Sequence, residues 1–215
     1  MSEASPRRRP SGILRSEDAP GRIVRPLNEL VLVRHGETEW TRSGRHTGWS
    51  DIPLTDEGRK EAEAVGLSLR GRTFERVLTS PLSRASETAR LAGFPDAERR
   101  DELREWNYGA YDGRTTPEIR QEQPGWTIWS GDVPEGESAD EVAARVDRLL
   151  DELRALDGDA LVFAHGHLLR VLAARWLGLD PREGRHFALD PGTVSVLGYE
   201  RETAVVRLWN ARSLA

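Results

Sequence analysis

The stretch Leu32-Val33-Arg34-His35-Gly36-Glu37-Thr38 is a short apolar run that ends abruptly in an Arg-His-Gly turn. A continuous apolar run of this length is what a strand buried on both faces of a parallel sheet requires. The residues at its mouth suit an encounter with a phosphoryl group. Arg34 offers a planar fork of donors matched to phosphate oxygens. Neutral imidazole, at His35, is a nucleophile near physiological pH. Gly36 lets the backbone approach closely whatever is bound. Taken alone, such a tripeptide is more often a plain strand end with a satisfied histidine, so the reading depends on the rest of the chain.

The second half repeats the pattern at Ala160-Leu161-Val162-Phe163-Ala164-His165-Gly166-His167, where another apolar run ends in His-Gly. Between the two lies Ser80-Pro81-Leu82-Ser83-Arg84-Ala85, after the run Arg76-Val77-Leu78-Thr79. Open α/β sheets bind ligands in the crevice outside the carboxyl ends of their strands. Three strand ends carrying His/Arg, Arg and His therefore converge, on this reading, on one anion.

Strands are expected at 29–34, 75–79, 160–164, 193–199 and 203–209, the last two joined as a hairpin across Glu200-Arg201-Glu202. Helices fill the gaps. Ser80 before Pro81, and Thr116 before Pro117, read as caps with proline at the first helical position. Ser138 with Glu141 reads as a capping box opening a helix whose stripe is Val142, Val146, Leu149, Leu150, Leu153 and Leu156. A helix over about 167–177 is apolar around most of its girth and stops at Gly178. The alternation gives an α/β fold: a doubly wound, mostly parallel sheet with helices on both faces. Residues 106–137, rich in Gly, Pro and Trp, are expected to form a small cap over the site. Residues 1–27 hold prolines, scattered arginines and no hydrophobic period. They read as a disordered extension before one domain at 28–215.

Composition narrows the function. With 215 residues, 37% hydrophobic, the chain can bury one sizeable core. It contains no cysteine, which removes disulfides, zinc-thiolate sites and cysteine nucleophiles. A net charge of −5 argues against general nucleic-acid affinity. No run reaches the length needed to cross a membrane, and Arg7-Arg8-Arg9 is followed by no apolar segment of the kind a secretory signal needs. A cytoplasmic protein with a small-molecule partner is expected, with no nucleic acid and no membrane; a homodimer stays open.

Over residues 29–210 several motifs occur in one order, and together they resemble the histidine phosphatase superfamily in its phosphoglycerate-mutase-like branch. Arg34-His35-Gly36-Glu37-Thr38 resembles the nucleophile motif. Thr47-Gly48-Trp49, with Pro53-Leu54-Thr55 and Gly58, resembles the loop after it. Ser80-Pro81 with Arg84 and Thr88-Ala89 resembles the second arginine motif. Leu103-Arg104-Glu105 with Tyr108-Gly109 and Gly113 resembles the acid motif, and Ala164-His165-Gly166 the second histidine motif. Thr41 stands where many relatives carry Asn.

The resemblance implies a phosphoglycerate-mutase-like fold and a phosphomonoesterase in which His35 is the nucleophile and Glu105 the proton donor. Arg34, Arg84 and a protonated His165 would hold the transferring group. Thr41, Thr47, Gly48, Tyr108 and Gly166 join Arg34, Arg84 and His165 as phosphate or substrate contacts. A bound phosphoryl dianion would favour the protonated acid at Glu105. No metal and no cofactor are called for: a site from His35, His165 and Glu105 would set a cation beside two arginines.

His46, His167 and His186 read as capped or solvated histidines, His167 capping its own helix. Trp106, Tyr108, Trp126 and Trp129 read as cap core. From Arg114 to Ser138 two basic residues, Arg114 and Arg120, face five acidic ones: Glu118, Glu122, Asp132, Glu135 and Glu137. Such a cap is a poor cradle for a second anion, which favours hydrolysis over phosphoglycerate interconversion. The stretch Trp126-Thr127-Ile128-Trp129 with Gly136-Glu137-Ser138 is similar to sugar-phosphate phosphatases, so small phosphorylated metabolites are the expected substrates. A cofactor-dependent mutase, or a non-catalytic phosphate-binding module, is the alternative.

Overall fold

The computed structural model describes residues 29–214, and the segment 1–27 read as an extension lies outside the described residues. Six strands form one sheet: β1 (Glu29–Arg34), β2 (Arg76–Thr79), β3 (Glu98–Arg99), β4 (Ala160–Ala164), β5 (Val194–Glu200) and β6 (Thr203–Ala211). Their order is β3-β2-β4-β1-β5-β6. β1 through β4 run parallel, while β5 lies antiparallel to β1 and forms the expected hairpin with β6. The two-residue edge strand β3 was not foreseen, being too short to carry a period.

Side chains alternate across the pleat. Leu30 and Leu32 of β1, with Val162 of β4, face one side, and Val31, Val33, Leu161 and Phe163 face the other. The first face is covered by α5 (Ala139–Arg154) and α6 (Gly166–Trp176), whose Val142, Val146, Leu149, Leu153, Leu168 and Leu172 are buried. The second is covered by Val65 of α2 (Asp56–Ser68) and Ala89 of α3 (Ser83–Leu91). Each large apolar side chain withdrawn wholly from water contributes about 1.5–3 kcal/mol, so both layers are bound tightly to the sheet.

Helix starts follow local chemistry with two corrections. Ser138 and Glu141 form the expected capping box. α3, however, starts two residues late: Leu82 is its N-cap with no side-chain bond, and Ser80 Oγ instead accepts from Leu82 N. α4 (Thr116–Glu122) is capped by Thr115, in a box with Glu118, so Pro117 stands one position further in. A short α1 (Glu39–Ser43) follows the Arg34-His35-Gly36 turn. Within 106–137, Trp106, Tyr108, Tyr111, Ile119, Trp126, Ile128 and Trp129 are buried in the same cluster as α5 and α6. This segment is therefore an extension of the main core.

Candidate active site

β1 and β4 are neighbours, so their carboxyl ends bring His35 and His165 together with ring centroids 5.1 Å apart, edge to face. His35 Nδ1 lies 2.7 Å from the Gly36 carbonyl oxygen. A carbonyl only accepts, so Nδ1 carries the proton and Nε2 keeps its lone pair. Burial, then Arg84, then Arg34 hold the imidazole well below the ordinary histidine range, so it is neutral at pH 7. The turn needs glycine: a Cβ on Gly36 would sit 2.2 Å from the Gly58 carbonyl oxygen of α2.

Arg34 gives one N–H to the Leu189 carbonyl, and its Nε is buried without a partner. An unpaired buried donor on a cationic group costs about 1–3 kcal/mol or more. Arg34 lines the cavity described below, and this is the donor its protein neighbours leave unpaired. Arg84 is fully buried and heavily committed. Its Nε donates to His165 Nδ1 at 3.2 Å, NH1 to the Ser50 carbonyl, and NH2 to the carbonyls of Thr47 and Gly48. Since Nδ1 of His165 accepts, its Nε2 carries the proton and donates to Ser80 Oγ at 2.7 Å. Burial, then Arg84, then His35 keep this ring well below the usual range as well. The expected protonated His165 is thus corrected: dry surroundings and an adjacent guanidinium forbid the extra charge.

Glu105 comes from the loop after a 3₁₀ turn at Asp101–Leu103 and is only 5% exposed. α6 has no side-chain cap of its own at His165. Glu105 supplies it from 60 residues away, Oε2 accepting from His167 N at 3.0 Å and Oε1 from Leu168 N at 2.8 Å. Oε1 also accepts from Trp106 N. Orphan amides and the positive end of the helix dipole fix the carboxylate in place.

Arg34, His35, Thr41, Thr47, Glu105, Tyr108 and Gly166 line one cavity of about 200 Å³. Arg84 and His165 stand one layer behind His35, outside that lining. Two expected phosphate contacts are otherwise engaged. The Thr41 hydroxyl donates to the Thr38 carbonyl and accepts from Thr38 N, capping α1. Gly48 is not on the wall; its N–H goes to Asp112 and its carbonyl holds Arg84.

The wall also holds residues that the sequence reading placed elsewhere or passed over: Arg45, His46, His167 and Arg170. His167 does not cap α6 through its ring, which pairs with the Tyr108 hydroxyl. His46 lies 3.0 Å from Thr116 Oγ1, and burial pushes its pKa down to about 4. His186, as expected, is solvent-exposed. Arg170 stacks on Trp129 at 4.7 Å and donates to the carbonyls of Gly184 and Arg185. One signal for it was available: Gly166 and Arg170 are four apart and so share a helix face.

The cap's acidic balance does not set the cavity's charge. Arg114 pairs outward with Glu122, and Arg120 donates to the Trp126 carbonyl. None of the five acidic cap residues lines the cavity, whose wall holds three arginines and Glu105, although Glu118 pairs with Arg45 from behind that wall at 3.8 Å. A larger groove of about 840 Å³, lined by Trp49, Arg104 and Arg145 among others, lies along the loop that carries Glu105 and holds none of the predicted site residues.

Known proteins share this arrangement of chain. An acid phosphatase of Mycobacterium tuberculosis is 39% identical over 190 residues, covering 84% of this chain and 93% of its own. Sedoheptulose 1,7-bisphosphatase of Saccharomyces cerevisiae is 36% identical over 183 residues, covering 69% and 67%. A solved structure of an open reading frame from Mycobacterium tuberculosis superposes with a TM-score of 0.80 at 37% identity, covering 86% of this chain and 97% of that one. Residues 30–212 match the histidine phosphatase superfamily, branch 1, and the chain belongs to that family.

Proposed function

We propose that this protein is a phosphoric monoester hydrolase that dephosphorylates small phosphorylated metabolites, sugar phosphates foremost, through a phosphohistidine on His35. The observation that carries this reading is the state of that ring. It is neutral, its Nδ1–H is held by Gly36, and Nε2 is left as the nucleophilic nitrogen on a wall shared with Arg34 and Glu105.

Nε2 attacks phosphorus as the ester P–O bond breaks, and the departing alkoxide takes the proton of the Glu105 carboxyl. Water then attacks the phosphohistidine, giving its proton to the Glu105 carboxylate, and inorganic phosphate leaves with Nε2 restored. Arg34, through its unpartnered Nε, meets the non-bridging oxygens. Arg84, behind the nucleophile and bonded to His165, supplies the positive field in which charge develops, and the neutral His165 ring packs edge-on against the nucleophile. Arg45 and Arg170 face the remainder of the substrate, favouring one with a second polar or anionic group. The names of the acid phosphatase and the sugar bisphosphatase among the relatives support hydrolysis. We read the protein as cytoplasmic and as acting on metabolites alone, as monomer or homodimer; among the described residues no helix is long and apolar enough to cross a membrane.

The test is a quench experiment. A ³²P-labelled sugar phosphate should leave acid-labile, alkali-stable phosphate on the His35 peptide, with turnover unaffected by EDTA. His35→Ala should abolish both label and turnover, and an active His35→Ala enzyme would end the reading. Phosphate release should also outpace 3-phosphoglycerate interconversion, with or without a bisphosphoglycerate primer. Interconversion faster by about tenfold, near 1.4 kcal/mol in barrier, would favour the mutase instead.

A further inference from the structure

The loop that carries Glu105 has no regular structure between the 3₁₀ turn Asp101–Leu103 and Tyr108, so its carbonyls need partners from elsewhere. One side chain bonds two of them, and a third in the turn itself. Arg145, in the middle of α5 and 8% exposed, donates NH1 to the carbonyls of Glu102 and Arg104 at 2.7 and 2.8 Å, and NH2 to the Glu105 carbonyl at 3.1 Å. Its remaining N–H groups form a fork on Glu137, Nε to Oε1 at 2.8 Å and NH2 to Oε2 at 2.9 Å. All the donors of the guanidinium are thereby used. Glu137 in turn accepts from Asn107 N at 2.8 Å, and its carbonyl accepts from the Trp106 indole. The pair thus grips the backbone on both sides of Glu105, from 102 to 107, while neither side chain lines the cavity.

We infer that Arg145, locked by Glu137, is the positioning residue for the proton donor of this enzyme. The inference rests on the reading of Glu105 as that donor. Glu105 is held at two ends. Its carboxylate sits on the amides of α6, and its carbonyl is fixed by Arg145 and by the Trp49 indole at 3.0 Å. Proton delivery to a leaving oxygen needs a hydrogen-bond approach of about 2.6–3.2 Å, and a misplacement of about 1 Å costs on the order of a hundredfold. A lysine at 145 offers a point charge that cannot bridge three carbonyls and a carboxylate together. A backbone left with unsatisfied carbonyls would settle elsewhere and move the acid with it.

The proposal separates from a merely structural role through the leaving group. A nitrophenolate departs with little help from an acid, whereas a sugar alkoxide depends on one. In Arg145→Met, kcat/KM for a sugar phosphate should fall at least about tenfold more than for p-nitrophenyl phosphate, within the 10²–10⁴-fold range of general-acid catalysis. Thermal melting of each variant reports whether it folds. In a Glu105→Ala background, where no acid remains to be positioned, Arg145→Met should add less than about twofold. Arg145→Lys and Glu137→Gln, which keep part of the clamp, should show the same leaving-group bias at reduced size and carry the test if Arg145→Met does not fold. Equal losses for both substrates, or full additivity with Glu105→Ala, would overturn the role given to Arg145. If Glu105→Ala itself lost activity equally on both substrates, the donor reading would fail instead.

Discussion

Gly166→Ala should separate folding from catalysis in opposite directions. Gly166 is the first residue of α6, and its φ lies outside the left-handed region, so alanine fits the backbone there. Replacing glycine where the conformation is compatible commonly stabilises by about 0.4–1 kcal/mol. The added methyl, however, would stand 3.2 Å from Arg34 Cζ and 3.3 Å from Nε, so the guanidinium must give by a few tenths of an ångström. It cannot retreat freely, because NH1 is tied to the Leu189 carbonyl. The shift falls on the nitrogen proposed to meet the phosphoryl oxygens. A hydrogen bond to a charged group contributes about 1.5–3 kcal/mol, and losing about 2 kcal/mol of it in the transition state lowers kcat/KM roughly thirtyfold. Urea denaturation beside steady-state kinetics checks both halves. Turnover equal to wild type in a folded Gly166→Ala protein would refute the role given to Arg34. A large loss of stability would refute the packing argument.

The buried histidines make stability fall on the acid side. His46 drops from an ordinary 6.5 to about 4 on folding through burial. The unfolded state therefore binds more protons below pH 6.5, and the contribution present above that pH is lost as pH falls toward 4. At pH 5 this amounts to about 2 kcal/mol, so His46→Asn should lose correspondingly less than wild type between pH 7.5 and 5 in urea titrations, and parallel slopes would contradict it. Catalysis responds differently: because burial also holds His35 low, the proposed nucleophile stays neutral below pH 6.5 and hydrolysis should persist at mildly acidic pH. A pH profile that collapses below 6.5 while the protein remains folded would count against this. For Arg170→Met, kcat/KM should fall at least about tenfold more for a bisphosphorylated sugar than for p-nitrophenyl phosphate, the worth of one charge-assisted hydrogen bond. Uniform losses would remove Arg170 from the substrate-facing wall.

Much of this protein is written locally. The apolar runs at 29–34 and 160–164 could be read as buried parallel strands because a strand covered on both faces has no polar positions. Those runs place His35 and His165 at adjacent strand mouths in the structure. The Ser138 capping box and the 200–202 hairpin were legible for the same reason, since each depends on residues a few positions apart. What stayed hidden turns on contacts across long stretches of chain. Residues 114–138 read as an acidic lid, yet none of their carboxylates lines the cavity: Glu122 and Glu137 pair with Arg114 and Arg145, and Glu118 with Arg45, while Arg45 and Arg170 from other segments stand on its wall. A charge count has no direction; packing supplies one. His165 read as a cation, but burial beside Arg84 leaves it neutral. Glu105 was visible as a motif acid, whereas its seat on the amides of α6 and its grip by Arg145 join residues 40 to 63 apart. Periodicity records which face of an element avoids water. It does not record which distant donor meets a given carbonyl, and that pairing is what fixes Glu105 on the cavity wall.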